Sequence, residues 1–142
     1  MATAPKITQA VAQSLLTAFE TAADAGTAAV IRGLTGAAPT NADDAETGTL
    51  LFTLTCSASI FTTKTDGAPG AVGTFAAITA DSSADATGTL TYFRILTQTG
   101  GTIVFQGSAD TASADMIINT TAITSGSNVD DTGTSTLTVP EY

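Results

Sequence analysis

The sequence predicts a mainly β fold, an antiparallel β-sandwich or barrel of about seven to eight short strands with one N-terminal α-helix. An acidic turn followed by Thr-Gly-Thr and an apolar–polar alternation begins at Asp43 and Asp85, and a looser copy begins at Asp130. Asp and Gly favour turns, and the alternation fits a half-buried strand. Only one segment has helical periodicity, which disfavours parallel βαβ units.

The helical segment, residues 7–25, follows a short N-terminal arm, residues 1–6. Gly26 follows directly and suits a left-handed helix cap. We expect the helix to lie against a sheet or a neighbouring subunit and residues 7–142 to form a single β-rich domain that includes this helix. Its apolar stripe consists of residues at steps of four: Ile7, Val11, Leu15 and Phe19.

The remaining chain alternates strand patterns with turns. Residues 62–73 carry two strong turn dipeptides, Asp66-Gly67 and Pro69-Gly70, and are predicted to form an extended polar loop. Gly100-Gly101 between two apolar runs predicts a hairpin. Strands are predicted over residues 27–36, 49–57, 74–80, 89–98, 103–107, 116–123 and 135–139.

A chain of 142 residues can bury a core without metal or disulfide staples. Large apolar anchors are few, because much of the apolar fraction of 43% is Ala, which removes little area from water. Contacts between subunits would supplement this core. The anchors are Phe19, Phe52, Phe61, Phe75, Tyr92, Phe93 and Phe105.

The charge balance disfavours a nucleic-acid partner. Four Lys and Arg residues stand against 13 acids, for a net charge of −9, whereas phosphate binding needs clustered cations. No segment approaches the roughly 20 apolar residues of a membrane helix, and no signal-peptide pattern is visible. We therefore expect a protein made and kept soluble inside a cell.

Residue types disfavour an enzyme. The chain has no histidine, so His-dependent triads, dyads and zinc sites are excluded, and no Walker-type phosphate loop occurs. The single cysteine, Cys56, lies in an alternating strand pattern and is predicted to be a buried apolar side chain rather than a nucleophile. Catalytic and cofactor-binding residues are accordingly predicted to be none.

The acidic turns allow two interpretations. Clustered carboxylates can bind Ca²⁺, although the spacing of an EF-hand loop is lacking. Asp in a turn more often accepts hydrogen bonds from nearby backbone, which is the favoured interpretation. The calcium candidates are Asp43, Asp44, Glu46, Asp130 and Asp131.

Tyr92 and Arg94 share one face of a predicted strand. Both residue types are enriched at protein interfaces, so they are interface candidates. A solvated Arg beside a half-buried Tyr is the alternative interpretation.

Several blocks of the chain look familiar together. They are the Ala-rich opening helix and residues 47–51, 84–95, 119–123 and 135–140. With them the chain resembles small structural proteins of tailed bacteriophages and prophages. This resemblance implies a non-enzymatic virion protein, a capsid decoration (cement) protein, often trimeric, assembled in the host cytoplasm and located on the phage head surface. The implied partners are the chain itself and the major capsid protein or other virion proteins.

The alternatives are a neck or tail component and, from another class, a carbohydrate- or calcium-binding β module. Residues 1–6 and 135–142 and the loop over residues 62–73 are the candidate contact segments. The individual interface candidates are Pro5, Lys6, Lys64, Pro69, Tyr92, Arg94, Pro140 and Tyr142.

Overall fold

A computed structural model describes residues 5–67, 70–98, 101–132 and 135–141. The described chain is mainly β, with one N-terminal helix and short strands in curled sheets, so the predicted fold class is confirmed. The elements are α1 (Gln9–Ala23), β1 (Val30–Leu34), β2 (Leu50–Thr55), β3 (Phe61–Asp66), β4 (Gly70–Phe75), β5 (Gly88–Thr89), β6 (Tyr92–Leu96), β7 (Ile103–Asp110), β8 (Met116–Ile117), β9 (Ala122–Ile123) and β10 (Thr136–Pro140).

The larger sheet has the strand order β2-β1-β6-β7-β8. Its pairs are antiparallel except β7 and β8, which run parallel over a two-residue ladder. The central strand β6 is buried along its whole length. Because successive side chains alternate between faces, Phe93 and Ile95 enter the main core, and Tyr92 and Arg94 lie on the opposite face.

A second sheet has the order β10-β4-β3, and α1 lies on it. The helix begins at Thr8, whose hydroxyl accepts a hydrogen bond from the Val11 amide at 3.4 Å. Gly26 adopts the predicted positive φ, 92°. The helix ends earlier than predicted, however, at Ala23, and its C-cap is Asp24 with a φ of −86° rather than the glycine. Strands β5 and β9 form a small third sheet.

A continuous line of aromatic rings joins the two larger sheets through the helix. Phe61 of β3 contacts Phe75 at 5.3 Å and Phe19 of α1 at 5.7 Å between ring centroids. Phe19 also contacts Phe105 of β7 at 5.8 Å, and Phe105 contacts Phe93 of β6 at the same distance. Ring centroids at these distances are favourable for aromatic pairs. The four contacts connect five phenylalanine side chains, which are large anchors of the core.

The predicted loop over residues 62–73 is wrong. This segment forms most of the β3–β4 hairpin. The strand predicted over residues 74–80 is largely wrong, because β4 runs from Gly70 to Phe75 and overlaps that prediction only at Thr74 and Phe75. The Thr- and Gly-rich composition concealed these strands, because they are held by pairing with β10 and packing against α1 rather than marked by a local alternation. Gly67 donates its amide to the Gly70 carbonyl at 2.9 Å and closes the hairpin.

The C-terminal segment is also part of the fold. Residues 135–142 were expected to be a candidate contact arm, but β10 pairs with β4 from Thr136 to Pro140. Leu137 and Val139 pack against the core cluster. Two other strand predictions change in extent: residues 89–98 are interrupted before β6, and residues 116–123 contain two short strands.

Candidate interaction surfaces

Both described ends of the chain meet beside the β3–β4 turn. The Ile7 amide donates to the Glu141 carbonyl at 2.9 Å, and Pro140 is the register partner of Gly70. Pro5, Lys6 and Pro140 are exposed. We call Pro5, Lys6, Gly67 and Pro140 the terminal surface. It contains three of the predicted interface residues and lies at one end of the β10-β4-β3 sheet.

Backbone packing fixes the start of β4 against β10. A Cβ placed on Gly70 would lie 2.1 Å from the Val139 carbonyl oxygen, so no larger residue fits without moving β10. The β4 and β10 part of the terminal surface therefore rests on paired strands, and the segment that carries Pro5 and Lys6 is joined to it by the Ile7–Glu141 hydrogen bond. Pro69 and Tyr142, the two remaining candidates nearby in sequence, lie outside the described residues.

Lys64 lies on β3 beside the helix, and its ammonium group pairs with the Glu20 carboxylate of α1. This hydrogen bond, with help from the Ser59 hydroxyl and against the effect of burial, lowers the pKa of Glu20. A groove of about 410 Å³ runs between the helix and β3, lined by Ala10, Gln13, Ser14, Thr17 and Lys64. Lys64 is therefore engaged within the chain and only half-exposed.

The predicted apolar stripe of α1 is largely exposed. The helix buries Ala12, Leu16 and Ala23 instead. Of the stripe only Phe19 packs against the core. Ile7, Val11 and Leu15 expose 37%, 46% and 48% of their surface. The helix lies against the β10-β4-β3 sheet, as expected, but Ile7, Val11 and Leu15 of its stripe remain exposed. Contact of the helix with a neighbouring subunit stays a prediction.

Tyr92 and Arg94 are not on the surface, contrary to the expectation that they contribute to an interface. Their exposed fractions are 2% and 0%. The alternative of a solvated arginine is wrong for the same reason. Both lie beneath residues 35–49, which we call the capping loop.

Hydrogen bonds attach the capping loop to the sheet. The Tyr92 hydroxyl donates to the Thr47 carbonyl at 2.7 Å, and Arg94 Nη1 donates to the Asp44 carbonyl at 2.8 Å. Gln106 accepts from Arg94 Nε and Nη2 at 3.0 and 2.8 Å and donates to the Pro39 carbonyl at 2.8 Å. Because a buried guanidinium requires partners, these bonds fix the position of the loop.

Two arginines stand side by side under this acidic loop. Arg32 and Arg94 are register partners on β1 and β6, an arrangement in which like charges repel. Glu46 Oε1 lies 2.9 Å from Arg32 Nη1, an ion pair without a well-aligned hydrogen bond. The first acidic turn therefore balances cations of the sheet, a role that no local sequence signal indicated.

Three of the five calcium candidates, Asp44, Glu46 and Asp131, have side-chain partners within the chain. Asp44 Oδ2 accepts hydrogen bonds from the Asn41 backbone and side-chain amides at 3.1 and 3.3 Å. Asp131 Oδ1 accepts from the Ser135 hydroxyl at 2.5 Å. Within the described ranges, no group of three or more His, Cys, Asp or Glu side chains is arranged to hold a metal ion. The turn interpretation accounts for the contacts of Asp44.

Cys56 is buried, as predicted. Burial, with smaller contributions from the charges of Asp24 and Asp131, raises the pKa of its thiol to about 12. The thiolate is the nucleophilic form, so a nucleophilic role at neutral pH is disfavoured. Asp24, which the sequence interpretation did not single out, has a pKa raised by burial and accepts a hydrogen bond from the Ile60 amide at 3.1 Å.

A second, smaller cleft of about 320 Å³ lies beside the capping loop, where Tyr92, Gln106 and Ser108 form part of its wall. In the described part of the chain, the large hydrophobic residues classed as exposed are Ile7, Val11 and Leu15, none of them aromatic. The cleft therefore offers no exposed ring on which a sugar could stack. Among the same residues, no helix is long and apolar enough to cross a membrane.

Comparisons of the chain with protein-family models, with curated proteins and with solved structures find no significant match. The resemblance to phage structural proteins therefore remains a prediction from the sequence. The geometry of the surfaces described above is the basis for the proposals that follow.

Proposed function

We propose that this protein is a non-enzymatic structural component of a bacteriophage virion that decorates the outside of the head shell. The observation that carries the proposal is the terminal surface, where exposed Pro140 of strand β10 lies near exposed Pro5 and Lys6, whose segment is tied to the chain end by the Ile7–Glu141 hydrogen bond. Exposed end residues attached to a folded sheet suit binding to a matching surface, because less conformational entropy is lost than for a free arm.

Charge favours an acidic attachment site on the partner. The chain has a net charge of −9, yet Lys6 is exposed and takes part in no ion pair of the described residues. The other three cations are half-buried or buried. Lys6 is therefore the cation available to a partner, and a carboxylate or a row of carbonyl groups on the shell would suit it.

In the proposed mechanism, binding of this protein stabilises the assembled shell. A protein that binds the assembled shell and not its separate subunits stabilises the assembled state by mass action. Copies that also contact each other add buried area between neighbouring sites. We propose a homo-oligomer in this role; the trimer that the resemblance implies stays a prediction.

Counting copies in particles tests the proposal. Quantitative mass spectrometry of phage particles from a lysate of the organism that encodes the chain should find on the order of hundreds of copies for a shell protein. About six or twelve copies would instead support a neck or tail component, which follows the symmetry of the tail axis. Absence from purified particles would overturn a virion role.

A variant pair tests the terminal surface. Lys6→Ala should lower the occupancy of purified shells at limiting protein concentration, because it removes the exposed cation. Gln98→Glu changes the net charge by the same amount at an exposed position on a different strand end and should leave occupancy unchanged. Equal occupancy of both variants and the wild type would refute the assignment of this surface.

A further inference from the structure

The exposed face of α1 has the spacing of a helix–helix seam. Val11, Leu15, Ala18 and Ala22 are all exposed and follow one another at steps of four, three and four. This alternation is the a/d pattern by which one helix packs along another. We call these four residues the helix strip.

The strip carries no charge. The helix contains one ionisable residue, Glu20, which is directed to the opposite side, where it pairs with Lys64. Two copies of a chain with a net charge of −9 repel each other over most of their surfaces. The helix strip is a place where two copies can approach without bringing like charges together.

The strip is also complementary to itself. Its N-terminal half carries the bulky residues Val11 and Leu15, and its C-terminal half carries the small residues Ala18 and Ala22. When two such helices run antiparallel across a two-fold axis, each large side chain faces a small one, Leu15 opposite Ala18 and Val11 opposite Ala22. Large-against-small facing positions allow close packing.

We propose that the helix strip binds the helix strip of a second copy of this chain, antiparallel and across a two-fold axis. This inference deepens the proposed function, on which it rests for its biological role, by naming the contact between copies. It yields pairs of copies, so the trimer implied by the resemblance is a separate prediction.

The area of the contact sets its strength. The strip spans 12 residues, from Val11 to Ala22, so it is about 18 Å long and at most about 10 Å wide and covers roughly 180 Å². A standard stable interface buries about 800 Å² on each partner. The pair should therefore be weak in solution, and it should become effective when a shell holds two copies side by side and raises their effective concentration.

Sedimentation equilibrium of the purified full chain tests the inference. The wild type should associate reversibly, with a dissociation constant on the order of 10 μM to 1 mM. Leu15→Ala and Ala18→Leu should each raise this constant by about fivefold or more. The double variant Leu15→Ala/Ala18→Leu should return it to within about threefold of the wild type, because the swap restores large-against-small packing.

Ala10→Leu is the matched control. It adds the same atoms as Ala18→Leu to the same helix, at an exposed position beside the groove rather than on the strip, and should leave association unchanged. All substituted positions are exposed, and circular dichroism checks that each variant keeps its fold. A chain that stays monomeric up to about 1 mM, or a double variant no better than its parents, would overturn the inference.

The proposed pairing of helix strips and the proposed virion role can be refuted independently of each other. Self-association is measured without any particle, so a monomeric chain that still binds shells would overturn the helix pair alone. A chain that pairs through the strip but is absent from purified particles would overturn the virion role alone.

Discussion

At the residue scale, the central feature is a buried arginine whose partners are neutral. Arg94 is fully buried and bonds to the Gln106 side chain and the Asp44 carbonyl, whereas its register partner Arg32 is one-third exposed and faces Glu46. The sequence correctly placed Tyr92 and Arg94 on one face of a strand. It did not show that a loop about 50 residues earlier covers that face.

The two arginines give a matched pair of substitutions. Arg94→Met should lower the free energy of unfolding by about 2–4 kcal/mol, because it leaves the Asp44 carbonyl and the Gln106 side chain without their donor. Arg32→Met should cost less than about 1 kcal/mol, since its ion pair is partly exposed. Urea denaturation measures both. Similar losses for the two variants would contradict the role assigned to Arg94.

Asp24 offers a prediction on pH. Burial raises its pKa, one carboxylate oxygen has no hydrogen-bond partner, and its position at the C-terminal end of α1 is unfavourable for a negative charge. The unfolded chain therefore releases this proton more readily than the folded one. As a result, the ionised carboxylate destabilises the fold as pH rises through the folded-state pKa.

Asp24→Asn should consequently raise the melting temperature at pH 7. The gain should shrink as the pH falls through the folded-state pKa and should be nearly absent below about 3.8, the ordinary pKa of Asp, because the wild-type residue is then protonated in both states. Asp85→Asn, at an exposed position, serves as the control and should change little. Differential scanning calorimetry across this range checks the sign, and a lower melting temperature for Asp24→Asn at pH 7 would contradict it.

At the element scale, the periodicity of α1 predicted the helix but not the face that it buries. Steps of four from Ile7 define a stripe, yet the helix buries Ala12, Leu16 and Ala23. The contact face combines Ala12 and Ala23 with Leu16 and the half-buried Phe19, while Val11 and Leu15 lie outside it. Hydrophobicity alone ranks Val and Leu above Ala and cannot foresee this arrangement.

Aromatic side chains pack over glycines across the larger sheet, and this packing is testable. Gly33 of β1 is the register partner of Phe52 of β2, and a Cβ on Gly33 would lie 2.2 Å from the Phe52 ring. Gly33→Ala should therefore cost about 3 kcal/mol of unfolding free energy through overpacking.

A double-mutant cycle separates this packing effect from backbone effects. If the ring causes the loss, Gly33→Ala should cost clearly less in a Phe52→Leu background, with a coupling of about 1 kcal/mol or more. Additive losses in urea denaturation would show that the ring is not the obstacle. Gly101→Ala is the comparison for backbone strain alone, because Gly101 has a φ of 62° and a Cβ added to it would meet no atom within 4 Å.

At the scale of the whole molecule, the two ends of the described chain are joined. Ile7, before α1, donates a backbone hydrogen bond to Glu141, which follows β10. Strand β10 is an edge strand of the β10-β4-β3 sheet. The last described segment is thus part of the folded domain, and its exposed end residues form the terminal surface together with Pro5 and Lys6. The proposed attachment surface and the folded sheet therefore share the same elements.

Substitutions at two neighbouring positions of β10 test whether this segment stabilises the isolated fold or is an arm that only a partner would hold. Leu137→Asp should lower the free energy of unfolding by about 2–3 kcal/mol, because Leu137 packs against the core. Thr138→Asp, at the exposed neighbouring position, should cost less than about 1 kcal/mol. Equal and small effects in thermal denaturation of the isolated protein would show that β10 contributes little to the fold.

The sequence by itself determined the fold class, the helix, the strands around Phe52 and Phe93 and the burial of Cys56. These features follow from local alternation, helical spacing and turn residues, which act over a few neighbouring positions. Only the tertiary structure decided that residues 62–73 are a hairpin, that the acidic loop covers Arg32 and Arg94, and that Val11 and Leu15 face outward. The physical reason is that each of these outcomes depends on packing between segments distant along the chain, and no local pattern encodes which partner a segment will meet.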